Sequence, residues 1–363
     1  MYGFNVPFLI FTIFLKLHLS LADQCVITEF EDVSNVVANC KDIVIDSLIV
    51  PKGQQLTLKL TEGSTLVFRG TTLFEFFVWI GPLVTISGNN ITVIGEPGSS
   101  LDGQGPLYWD GQGTWGTTKP KFLTISATNA ILESINIKNC PVGCTSVSKS
   151  ENVTLRNWKI DNLQGDEGVA PENKFGHNTD GIGISKSKNI LVENSIIYNQ
   201  DDCVVLNSGT HLIVRNMFCH GSHGLSLSVG TATIEDVIIE NSIITMAENG
   251  IHIKTHVDAG NGLIKDILYR NITMLDCKYY GINIQQNYVN LPAGQPEDGP
   301  PKNNIPIHNL TMTNIYGSVQ SEAVPVFILC AEDGCFDWTW EGVEIYGTAQ
   351  DNCTNFTPNG YQC

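Results

Sequence analysis

Basic residues are scarce in this sequence: 20 lysines and arginines stand against 37 aspartates and glutamates, leaving a formal charge of −17 and a pI near 4.7. That deficit excludes nucleic acid as a partner. It does not exclude an anionic substrate, because distant charges are screened over about 10 Å at moderate salt and a groove can be locally cationic. Helical periodicity is also missing, since apolar positions alternate or run together instead of recurring at three and four. No leucine framework repeats, and no apolar run beyond the N-terminus is long enough to span a membrane. Cys140 and Cys144 lack a Cys/His pair at suitable spacing to complete a zinc site.

What is present points to β structure. Charged residues make up only 16%, glycines number 34, and the strand-like segments are rich in Ile, Val, Thr and Asn, which suits strands joined by tight turns. Phe8 to Leu21 is apolar apart from Thr12, Lys16, His18 and Ser20, with small residues before a cut after Ala22. Residues 1–22 therefore read as a secretory signal peptide, and 23–363 as one extracellular domain. All 11 cysteines follow the leader, so disulfides are expected. Spacing suggests Cys25 with Cys40, Cys203 with Cys219, Cys330 with Cys335 and Cys353 with Cys363; Cys140, Cys144 and Cys277 remain, and at least one thiol is left over. Sequons at Asn90, Asn152, Asn271, Asn309, Asn352 and Asn355 fit glycosylation of one or more sites.

A short pattern recurs: a polar residue, several apolar or Thr positions, then Asn. Successive copies close at Asn157, Asn194, Asn216, Asn241, Asn271 and Asn314, separated by 37, 22, 25, 30 and 43 residues. A repeat of that size without helical period predicts a solenoid, specifically a parallel β-helix. Asn at strand ends suits the bends, because its side chain bonds to backbone and it tolerates the left-handed conformation. The chain before Asn90 reads as a capping element with strands at Ser64 to Phe68 and Phe76 to Ile80. Leu101 to Lys121 and the proline-rich Leu291 to Pro301 read as loops, and the tail from Cys330 as a C-terminal cap.

Stacking the segments that begin at Asp180, Asp202, His223, Asn249 and Tyr280 keeps aliphatics at the third and fifth positions of each. Those residues face inward, and the second, fourth and sixth face outward. Asp180, Asp202 and His223 then start three successive rungs, with Asp201 beside Asp202. His252 and Lys254 project outward two rungs below Asp202, and Asn283 and Gln285 one rung further. Clustered carboxylates force at least one to hold its proton to higher pH. A protonated acid beside ionised ones is what glycosidic cleavage requires, while Lys254 and the histidines suit a negatively charged sugar.

At these residues the chain resembles the polygalacturonases, the pectin-cleaving glycoside hydrolases of family 28. The resemblance covers essentially the mature chain. It rests on Asn178 to Asp180, Asp201-Asp202, Gly221 to Gly224 and His252-Ile253-Lys254, together with Gly103 to Gly105, Tyr108 to Gly111 and Lys119-Pro120. It implies an all-β fold, a right-handed parallel β-helix, and a secreted monomeric enzyme that hydrolyses α-1,4-galacturonosyl linkages of pectin with inversion and without metal or other cofactor. By the same resemblance Asp201 is the general acid, Asp180 with Asp202 activates water, and His223 maintains the acid's protonation. Asn178, His252, Lys254, Gln285 and Tyr288 are then the substrate-binding residues.

Two departures stand out. Gly183 replaces an outward Asp carried by many members, and His252 replaces an Arg. Arg to His exchanges a permanent charge for one present only at lower pH, so weak or pH-restricted activity is expected. The alternatives are an impaired paralogue that binds pectin fragments without efficient cleavage, a calcium-dependent pectate lyase, and a hydrolase of a branched galacturonan.

Overall fold

The computed structural model describes residues 25–292 and 299–363. The expected leader, 1–22, and residues 293–298 of the proline-rich loop lie outside the described residues. Every paired strand runs parallel to its neighbour, and the turns wind as a right-handed parallel β-helix.

The groove-bearing face stacks Leu56–Lys59, Val84–Asn89, the first half of Lys121–Glu133, Val142–Ser148, Ile182–Ser185, Val204–Leu206, Leu225–Val229, Asn249–His256, Tyr280–Tyr288, Val324–Leu329 and Asn352–Thr354. Inward residues form one continuous core; Ile182, Ile184, Leu225, Leu227, Ile251, Ile253, Ile282 and Ile284 are wholly buried in it. The helix Val33–Asn39 turns Val33 and Val37 into the N-terminal end of that core. Trp338, Trp340, Phe356 and Tyr361 close the other end.

Asparagine makes the corners. Asn129, Asn152, Asn189, Asn194, Asn216, Asn241, Asn271 and Asn314 all have positive φ near 55°, a region costly for most L-residues. Their side chains also form ladders between rungs. Asn189 donates to Asn152, Asn152 to Asn129 and Asn129 to Asn89, each at 2.9 to 3.0 Å. Beside them, Glu133, Arg156, Glu193, Arg215, Glu240 and Arg270 occupy one column of alternating charge, with ion pairs such as Arg215 to Glu193 at 2.7 Å.

Two expectations change. The solenoid begins well before Asn90, because the strands from Cys25 onward already pair with later rungs. These early turns bend at Ser47 and Gly70, both at positive φ, so a reading keyed to Asn passes over them. Phe76 to Ile80 is not a strand. The rung's strand ends at Phe74, and the following residues turn toward Val84, with Tyr108 Oη bonded to the backbone N–H and carbonyl of Phe77. The remaining cysteines resolve as a Cys140–Cys144 disulfide and a buried free Cys277, alongside the four pairs suggested by spacing.

Candidate active site

Register brings the site residues together. Ile182, Val204, Leu225, Ile251 and Ile282 are successive partners on the groove face, so Asp180, Asp202 and His223, each two residues before its strand's first member of that series, stack at the groove. Buried Asn199 fixes the turn that carries the acids, its amide donating to the carbonyls of Thr179, Asp201 and Asp202 at 2.9 to 3.0 Å. Backbone bonds add His223 N to Asp201 O at 2.7 Å and Gly181 N to Asp202 O at 2.8 Å.

Each carboxylate has a different environment. Burial drives the Asp180 carboxyl well above the usual range, reinforced by the charges of Asp201 and Asp202. Burial pushes Asp201 the same way, but the charge of His223, its hydrogen bond, Lys254 and the Asn178 amide outweigh it and hold Asp201 well below the carboxylate range. Asp202 is paired with Lys254, whose Nζ lies 2.7 and 3.0 Å from its two oxygens, and accepts from Ser226 Oγ at 2.6 Å.

His223 lies between two acids. Its Nδ1 is 3.2 Å from Asp201 Oδ1 and its Nε2 3.2 Å from Glu248 Oε2. Burial opposes its charge, yet Asp201 and Glu248 raise it to about 10. Asp180 is thus the carboxyl shifted toward keeping its proton, while His223, shifted toward its charged form, lies within reach of Asp201. Asp201, Asp202 and His223 are also the one group among the described residues whose ligand atoms converge to within 4.8 Å. Asp201 and Asp202 there already pair with His223 and Lys254.

The remaining sequence candidates fall on the same groove, with altered parts. Asn178 donates to Asp201 Oδ2 at 2.9 Å and accepts from Thr114 N and Oγ1 at 3.0 Å, so it links the 101–121 loop to the acid. That loop is organised by buried Lys119, which donates to Asp110 and to the carbonyls of Gly113 and Thr117. Lys254 is not a free substrate cation, because it is buried and bound to Asp202. Gln285 sits opposite Lys254 on the next strand, and the Tyr288 ring lies 5.3 Å from Lys254 Nζ.

His252 departs most from expectation. It is 8% exposed, and burial, then the charges of Lys254 and His223, hold it well below the ordinary histidine range. That environment runs against the pH-restricted charge expected of His252, because the groups around it oppose a further positive charge.

Sequence reasoning missed Glu248, Ser226 and Asn199. Glu248 lies one residue before Asn249 in the stacked column, opposite Ser222 of the preceding rung, so the stacking contained a signal for it.

Comparison with known proteins identifies the family. Residues 40–363 match the family model described as Glycosyl hydrolases family 28. A polygalacturonase of Phaedon cochleariae is 40% identical, covering 94% of this chain and 93% of that protein. A probable endopolygalacturonase I of Aspergillus niger is 39% identical, covering 94% and 92%. The structure of endopolygalacturonase I from Stereum purpureum, complexed with two galacturonates, superposes with a TM-score of 0.82 at 27% identity, covering 91% of this chain and 96% of that one. With the match spanning nearly the whole described chain, the protein belongs to the glycosyl hydrolases of family 28.

Proposed function

We propose that the protein is a secreted polygalacturonase that hydrolyses α-1,4-galacturonosyl linkages of pectin with inversion. The observation that carries this reading is the stack of Asp180, Asp201 and Asp202 on adjacent rungs, with His223 Nδ1 3.2 Å from Asp201. The named activities of the polygalacturonase relatives support it. Residues 1–22 act as the export signal and 23–363 as one catalytic domain, working as a monomer; no helix among the described residues is long and apolar enough to cross a membrane.

In this mechanism Asp201 protonates the leaving glycosidic oxygen. The proton reaches Asp201 from His223 Nδ1, Glu248 on the opposite nitrogen keeps the imidazole oriented, and the neutral imidazole takes up a proton from solvent before the next turnover. Asp180 and Asp202 position water against the anomeric carbon, and the carboxylate pair takes its proton as the C–O bond forms. Asp180 shares in that step only as its carboxylate, so its proton passes to bulk water before the attack and the pair then accepts the proton of the attacking water. His252, Lys254, Gln285 and Tyr288 form the floor on which the sugar rests. No cofactor enters the scheme.

The test is a reducing-end assay on polygalacturonate from mildly acidic to neutral pH, run beside Asp201→Asn. Activity at least about 100-fold above that variant is expected, in line with the loss of one general acid. Equal rates with and without the substitution contradict the reading. Calcium dependence or ultraviolet-absorbing unsaturated products mark elimination instead.

A further inference from the structure

Resting on the hydrolase reading of the groove, we propose that substrate recognition is asymmetric about the acids. The N-terminal side takes a galacturonosyl unit as its free carboxylate, and the C-terminal side accepts the unit as its methyl ester.

On the N-terminal side, a cavity of about 300 Å³ adjoins Asp180 and is lined by Lys121, Thr114, Ser146, Gly183, Ser185 and Asn207. Gly183 is not demanded by packing. A Cβ there would meet Val205 Cγ1 at 3.6 Å and the Thr145 carbonyl at 3.7 Å, both ordinary contacts. The effect of glycine is to leave the floor open and uncharged. Lys121 is solvent-exposed and makes no ion pair among the described residues. Lys121 is the one basic residue lining this cavity, and Asp180, on the same lining, is shifted toward its neutral form by burial and by Asp201 and Asp202. Hydroxyls and an amide surround it, the groups that bind sugar hydroxyls.

The C-terminal side has the opposite balance. Lys254 is spent on Asp202 at 2.7 Å, and His223 is held between Asp201 and Glu248. Neither cation is left free for a substrate carboxylate on this side. His252 adds no charge. It is flanked by Ser226 on the preceding strand, Asn283 on the following one and Lys254 on its own, with the Tyr288 ring edge-on at 6.3 Å. His223 and Asp201 also act on it through their charges. Its Nε2 lies 3.4 Å from the Asn283 amide, while its Nδ1 is buried without a hydrogen-bond partner. A free carboxylate on this floor meets no unpaired cation among the described residues. The methyl ester offers a carbonyl to the neutral donors there and leaves no buried charge without a partner.

The test is digestion of partly methyl-esterified polygalacturonate, with mass-spectrometric sequencing of ester positions in the three units on either side of each cut. For the wild type we expect free acid on one side and ester on the other, whichever chain direction the groove binds. Lys121→Met, a surface change, should lower kcat/KM on unesterified substrate about tenfold and relax the free-acid requirement, with Lys121→Arg restoring both. His252→Arg should reduce ester acceptance on the other side about tenfold. Products with free acid on both sides, or ester on both, overturn the proposal, as does a Lys121→Met pattern identical to wild type. Absence of any product from unesterified and partly esterified substrate alike overturns the hydrolase reading and the asymmetry with it.

Discussion

His252 shows how burial overrides an intrinsic property. A free imidazole titrates near pH 6.5, but here desolvation and two neighbouring cations oppose the added charge. His252→Arg should therefore change affinity for polygalacturonate by a similar factor from pH 4 to pH 7, read as KM. A gain that appears only above pH 6.5 would show that His252 titrates normally. His223 behaves in the opposite sense, because Asp201 and Glu248 raise it to about 10. Unfolding returns it to about 6.5, so its contribution to stability is full below about pH 6.5 and is lost as pH rises toward 10. His223→Gln should flatten that part of the stability curve, measured as Tm against pH. The stack of Asp180, Asp202 and His223 was legible in the sequence because strand alternation repeats every two residues. The Lys254–Asp202 and His223–Glu248 pairs were not, since they depend on how far long side chains reach across rungs.

At the scale of the rung, asparagine serves both as corner and as cross-link. Asn129, at φ 53°, accepts from Asn152 and donates to Asn89. Asn129→Ala should cost about 2 kcal/mol, from a strained left-handed alanine and a broken ladder, and Asn129→Gly should cost less; urea unfolding measures both. The ladders also sort the sequons. The amides of Asn152, Asn271, Asn309 and Asn355 already donate to Asn129, Asn241, Asp266 and the Cys330 carbonyl, whereas exposed Asn90 and Asn352 carry no such bond. Glycopeptide mass spectrometry should find glycan at Asn90 or Asn352 and none at the other four. The Asn-terminated repeat revealed the solenoid from the sequence. Its first turns escaped because Ser47 and Gly70 bend them, and Phe76 to Ile80 misled because an apolar run at a corner resembles a strand.

Across the molecule, stacking concentrates chemistry drawn from distant stretches of chain into one groove and leaves the rest of the surface to cross-links and caps. Buried Cys277, with its thiol pushed up to about 12 by burial, should resist alkylation until the protein unfolds. The fold class followed from repeat length and period, while the loop that carries Thr114 over Asn178 has no periodicity from which its path could be read. The central claim is inverting hydrolysis by the stacked acids, and early-time proton NMR of polygalacturonate digestion tests it most directly. The account predicts saturated products whose new reducing ends first appear as the β-anomer and are absent with Asp201→Asn. First appearance as the α-anomer, unsaturated ends, or an unchanged rate in the variant would contradict it.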